Sequence, residues 1–105
     1  SLDCSGFVSY AWSTGNYFTT RSLPHHMISK PVSWGALAPG DIVNVAGSHV
    51  RLVEAIGTGP HGRVVKVIES SSSKRCGGVC RSSYAEFDLK ISGYRPYRRL
   101  NLKTP

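Results

Sequence analysis

Three side chains in this sequence have the types needed for nucleophilic catalysis, and each sits where a local signal supports it. Cys4 lies in Asp3-Cys4-Ser5-Gly6, at the head of a stretch that reads as a helix. A first helical turn offers free backbone N–H groups to a developing oxyanion, and its dipole favours a thiolate. His49 follows Gly47-Ser48 at the start of a β-branched run. An imidazole at the rim of a sheet can take a thiol proton and return it to a leaving amine. Glu69 ends the next β-branched run, so in an antiparallel hairpin it can lie beside His49, orient the ring and stabilise an imidazolium. Taken singly, each has an ordinary explanation: a small buried thiol, a histidine at a turn, a solvated charge at a strand end.

Of the three cysteines, Cys76 and Cys80 occupy Cys-Gly-Gly-Val-Cys, whose glycines permit a tight loop. The expectation is a local disulfide, worth about 2 kcal/mol by loop entropy, and with it an oxidising, exported setting. A zinc site needs two further ligands, and no other close Cys or His pair has the spacing to complete one. No metal is expected, and Cys4 is left as the reactive thiol. His25, His26 and His61 fall in loops without a pattern around them and read as exposed.

The elements that must position these residues follow from periodicity. Residues 3 to 14 read as an amphipathic helix, in which Phe7 with Ala11 and Val8 with Trp12 are i,i+4 pairs on one apolar face. Residues 16 to 40 are irregular, apart from a helical turn around His25 to Ser29, and end in the turn Leu37-Ala38-Pro39-Gly40. The period then changes to two: Asp41 to Val45, His49 to Ile56 and Arg63 to Glu69 read as strands, the last two joined as a hairpin through the glycine-rich turn from Gly57 to Gly62. Ser70 to Arg75 reads as a polar loop. A last strand around Gly93 to Leu100 contains Pro96, which places it at a sheet edge. One helix followed by a meander of strands predicts a single α+β domain over residues 1–105, the nucleophile's helix packed on a largely antiparallel sheet.

Length and charge narrow the partners. The chain has 105 residues, of which twenty-five are Leu, Ile, Val or Phe, enough for one packed core. No apolar run approaches the ~20 residues of a membrane-spanning helix. Thirteen basic against six acidic residues give a net charge of +7, and the sequence pI is 9.7. That balance suits a polyanion: nucleic acid, an anionic membrane surface or an acidic wall polymer. Zinc-finger spacing, a basic helix and an aromatic RNA-binding signature are all missing, so nucleic acid is not the expected partner.

Together the motifs Asp3-Cys4-Ser5-Gly6-Phe7-Val8, Leu37-Ala38-Pro39-Gly40-Asp41-Ile42-Val43, Ser48-His49-Val50, Val67-Ile68-Glu69 and Gly93-Tyr94-Arg95-Pro96 resemble the NlpC/p60 family of cell-wall cysteine peptidases in order and spacing. The resemblance spans nearly the whole chain. It implies a papain-like α+β fold and hydrolysis of amide bonds in peptidoglycan stem peptides, typically at a γ-D-glutamyl linkage to a diamino acid. Carried over by position, Cys4 is the nucleophile and His49 the general base and acid. Glu69 stands where the family most often has an orienting histidine. Asp3, Ser5 and Ser48 fall at substrate-binding positions. Family members usually carry a helix and a Tyr/Trp-Gly-Gly stretch before the cysteine motif, whereas only Ser1-Leu2 precede it here. The domain is therefore expected to be short at its N-terminus, that segment either cut away or supplied by a second chain or domain.

The expected function is that of a secreted, periplasmic or wall-associated cysteine endopeptidase that needs no cofactor. It would pass through a thioester on Cys4, with the Cys4 backbone N–H helping to hold the oxyanion. Two readings compete with it. The same fold could act on a non-wall amide or transfer the acyl group to another acceptor. Alternatively, the chain could be a wall-binding module that docks through its basic face and cuts nothing.

Overall fold

The computed structural model describes Val8, Trp12 and residues 20–25, 28–71 and 78–100. Their architecture is a six-stranded sheet in which every neighbouring pair is antiparallel. The strands are β1 (Ser29–Pro31), β2 (Ile42–Val45), β3 (His49–Gly59), β4 (Gly62–Ser71), β5 (Gly78–Ala85) and β6 (Arg95–Arg99), in the spatial order β1-β6-β2-β3-β4-β5. A 3-10 turn, Trp34–Ala36, precedes β2, and one short helix, α1 (Glu86–Ile91), lies between β5 and β6.

This corrects the expected fold class. The described residues form mostly antiparallel sheet with one six-residue helix and one 3-10 turn, not a papain-like α+β arrangement. The strand content rises because Gly78 to Ala85, a segment with no strong apolar pattern, pairs along β4 from Ser71↔Gly78 to Val64↔Ala85. The helix expected over residues 3 to 14 falls outside the described residues except for Val8 and Trp12, where the Trp12 N–H donates to the Val8 carbonyl at 2.8 Å. The expected turn near His25 is present, with Ile28 and Ser29 N–H groups both donating to the His25 carbonyl.

The sheet buries both faces because its strands carry apolar residues at both parities. On one face Val43, Val53, Val65 and Val67 pack with Leu37 and with Leu89 of α1. On the other, Ile42 and Val50 pack with Val8, Trp12 and Leu23. A register shift between Val53 and Ala55 inserts one extra residue in β3 opposite β4. That extra residue changes the parity of the strand, so Ile56 joins Val53 against the first cluster. The β3–β4 strands run to Gly59↔Gly62 and close through Pro60-His61, with Gly62 at φ 111°.

The last strand departs from expectation in place, not in kind. β6 lies between β1 and β2, so Pro96 is not at the sheet's outer edge. The Pro96 carbonyl accepts from the Val32 N–H at 3.2 Å, on the β1 side. A residue's N–H and C=O point to the same side of a strand, so the donor that Pro96 lacks would also face β1. There β1 pairs only with Tyr97 to Arg99 and makes no demand on it.

Candidate active site: a carboxylate shared by three donors

His49, Arg51 and Val53 alternate along β3, so the first two side chains project from the same face as the Val53 core. Glu69 reaches that face from β4, two residues beyond Val67, and Tyr84 from β5, where it pairs with Val65. These four residues form one cluster. His49 Nε2 donates to Glu69 Oε1 at 2.8 Å, and Arg51 Nε donates to the same oxygen at 3.0 Å. The Tyr84 hydroxyl donates to Glu69 Oε2 at 2.8 Å. Both carboxylate oxygens are thus held, and Glu69 is 5% exposed.

Electrostatics follow from this arrangement. Burial alone would raise the pKa of Glu69. The hydrogen bonds from His49, Tyr84 and Arg51, with the Arg51 charge, outweigh burial and hold the carboxyl at about 2, below its ordinary 4.5. Burial and donation to that carboxylate push the Tyr84 phenol above its ordinary 10. An ionised carboxylate only accepts, so Nε2 is the ring nitrogen that carries hydrogen. In the neutral imidazole Nδ1 is then the base, and proton exchange with a nucleophile falls to it.

The chain buttresses the turn that delivers His49. In the turn from β2 to β3, the Ser48 N–H returns to the Val45 carbonyl at 3.0 Å and Gly47 takes φ 77°. A Cβ at Gly47 would meet Arg21 Nη2 at 2.8 Å, a contact the flexible arginine can relieve, so it is the conformation that calls for glycine. The Gly47 N–H donates to Thr20 Oγ1 at 2.8 Å, while Asn44 Nδ2 donates to the Thr20 carbonyl at 2.9 Å. At the other end of β2, Arg98 grips Asp41 with Nε on Oδ1 and Nη2 on Oδ2, at 2.8 and 2.9 Å. The Ala38 N–H completes the carboxylate shell of Asp41.

The structure therefore brings His49 and Glu69 into direct contact, at the neighbouring ends of the β3–β4 pair. Ser48 is exposed in the turn beside them. Cys4, Asp3, Ser5 and Cys76 lie outside the described residues. Cys80 is on β5, opposite Glu69 in the β4–β5 register. His25 and His61 are exposed, as expected of loop histidines, and His26 lies outside the described residues.

Two members of the cluster went unrecognised in the sequence. Arg51 stands two residues from His49 on the same strand, so strand alternation alone could have placed it on the histidine's face. Tyr84 carried no such signal, because β5 itself was not anticipated. Arg51 also lies over two rings, its guanidinium carbon 4.0 Å from the Tyr84 centroid and 4.7 Å from that of Tyr94.

Among the described residues no helix is long and apolar enough to cross a membrane, and no three of His, Cys, Asp and Glu gather as a metal site. Compared with protein families, with curated proteins and with solved structures, the chain matches none.

Proposed function

We propose that the chain is a cysteine peptidase that hydrolyses amide bonds of peptidoglycan stem peptides, with Cys4 as nucleophile, His49 as base and acid, and Glu69 as the residue that orients His49. The observation that carries this reading is the 2.8 Å bond from His49 Nε2 to a buried Glu69 carboxylate that is itself fixed by Arg51 and Tyr84. A base oriented by a third, firmly held polar group is the arrangement that activates a thiol or hydroxyl nucleophile. The substrate class and the identity of the nucleophile rest on the sequence motifs around Cys4.

In this reading the Cys4 thiol gives its proton to His49 Nδ1 and the sulfur attacks the amide carbonyl carbon. The oxyanion is received by backbone N–H donors that include that of Cys4. Collapse of the tetrahedral species breaks the C–N bond, and His49 returns the proton to the departing amine. Water, deprotonated by His49, then attacks the thioester and releases the acid and the thiol. The +7 charge brings the enzyme to an anionic wall polymer before any specific contact forms. An exported setting follows from the expected Cys76–Cys80 disulfide.

Incubation of purified stem peptides with the chain, followed by mass spectrometry, tests the proposal. Cleavage that disappears in Cys4→Ala is the expected result. Undiminished turnover by that variant removes Cys4 from the mechanism. Salt-sensitive retention on wall material without any cleavage would favour the binding-module reading instead.

A further inference from the structure

A groove of about 380 Å³ opens beside the end of β1, between the 3-10 turn, α1 and β6. Three half-buried aromatic side chains line it: Trp34, Tyr94 and Tyr97. Trp34 and Tyr94 also pack against the core of Val43 and Val53, and Tyr97 against that of Ile42 and Val50. The rings are thus held by the fold before any ligand arrives. Pro31, Val32 and Pro96 complete the apolar lining, and no residue of the His49–Glu69–Arg51–Tyr84 cluster takes part in it.

The backbone of that lining is closed to further pairing. Pro31 and Pro96 have no N–H, and the Val32 N–H already donates to the Pro96 carbonyl at 3.2 Å. A bound segment finds no main-chain donor on these three residues, so an added β-strand is disfavoured. The peptide that fits such a surface keeps its own backbone in water. A polyproline II helix does so: it makes no internal hydrogen bonds, and it docks on aromatic grooves with little conformational entropy left to lose. Charge narrows the sequence further. Lys90 and Arg95 line the groove and no acidic side chain does. Lys90 stands 5.8 Å from the Trp34 ring and 3.7 Å from Glu86. Arg51, Arg63, Arg81 and Arg98 each hold a carboxylate. Arg95 is exposed and holds none among the described residues, so its charge is left for an anion from outside the chain.

We infer that this groove is a docking site for an acidic, proline-rich segment of a partner protein, bound as a polyproline II helix with a carboxylate on Arg95. The site goes beyond the proposed peptidase activity and does not depend on it. A polyproline II helix has three residues per turn, so in a Pro-Pro-Glu repeat the glutamates share one edge and the prolines occupy the other two. Such a repeat presents its rings to Trp34, Tyr94 and Tyr97 and its charge to Arg95.

Calorimetric titration of the full chain with three end-blocked peptides supplies the test: three repeats of Pro-Pro-Glu, of Pro-Pro-Gln and of Gly-Gly-Glu. The first should bind at least about tenfold tighter than either of the others, since the second lacks the charge and the third the preformed helix. Arg95→Gln, at an exposed side chain, should bring the glutamate peptide down to the affinity of the glutamine one. Trp34→Ala should weaken both proline peptides. Equal affinity for the glutamate and glutamine peptides, equal affinity for the prolyl and glycyl ones, binding of none, or a charge preference that survives Arg95→Gln would overturn the inference. Tighter binding of oligodeoxythymidylate than of the Pro-Pro-Glu peptide would assign the surface to polyanions at large and overturn it as well. The peptide series and Arg95→Gln decide the matter even where Trp34→Ala fails to fold.

Discussion

The Tyr84 hydroxyl donates to Glu69 Oε2 at 2.8 Å, which leaves Oε1 to His49 and Arg51. A phenol from a strand unremarkable in sequence thus stabilises the carboxylate that orients the histidine. Tyr84→Phe keeps the ring under Arg51 and removes only this donor. It should cost about 1 kcal/mol of stability, the usual scale for one hydrogen bond. It should also raise the Glu69 pKa from about 2, because one of the donors that oppose the effect of burial is gone. Urea unfolding and carboxylate titration by NMR check the two effects separately, and an unchanged Glu69 titration would count against the bond.

Glu69 gives the fold a pH dependence whose sign can be stated. Its carboxyl sits at about 2 in the folded chain against an ordinary 4.5, so the unfolded chain binds the proton more readily. The contribution is complete above the unfolded value. It is lost as the pH falls from about 5 towards 2. Urea midpoints measured across that window should fall for the native chain and fall less steeply for Glu69→Gln. Equal slopes would mean that Glu69 does not carry the effect.

Removing the carboxylate altogether is more severe. Glu69→Ala leaves Arg51, Tyr84 and His49 without their shared acceptor, and should cost about 3 kcal/mol, the lower end of the scale for breaking a buried pair. Activity toward stem peptides should fall in the order Cys4→Ala and His49→Ala most, by about 10²-fold or more, and Glu69→Ala less. Rates measured under conditions where the variants remain folded make this comparison. If Glu69→Ala has no effect on rate, its role is structural and the triad reduces to Cys4 and His49.

Among its six residues, α1 buries one, Leu89. Leu89 is 2% exposed, while Phe87 and Ile91 are each 67% exposed. Leu89→Ala should destabilise by about 3 kcal/mol through lost burial and the cavity left behind. Phe87→Ala on the outer face should cost far less. Thermal unfolding of the two variants tests the asymmetry, and similar losses would place α1 differently on the sheet.

Thiol counting addresses the cysteines. With Cys76 and Cys80 paired, the native chain should present one thiol to an alkylating reagent, and three after reduction. Alkylation of Cys4 should abolish stem-peptide cleavage. Three reactive thiols in the unreduced chain would remove the disulfide and with it the argument for an oxidising compartment.

Much of the sheet's centre was determined by the sequence alone. Ile42 to Val45, His49 to Ile56 and Arg63 to Glu69 alternate β-branched residues, and the glycine-rich turn after Ile56 dictates a hairpin, so His49 and Glu69 come together by local rules. Tertiary structure decided the rest. Cys80, Ser82 and Tyr84 form a strand because β4 offers them a partner, not because their own pattern demands it. Phe87, Leu89 and Ile91 alternate as a strand would, yet lie on a helix that ends where Gly93 takes φ 90° and the Tyr94 N–H returns to the Leu89 carbonyl. The papain-like layering expected from the motifs gave way to a six-stranded sheet for the same reason: pairing partners far apart in the chain, not local period, set the strand count. Arg51 shows the division in one side chain. Its position on the histidine's face follows from strand alternation. Its grip on Glu69 and its contacts with the Tyr84 and Tyr94 rings required three strands and the segment between α1 and β6 to converge.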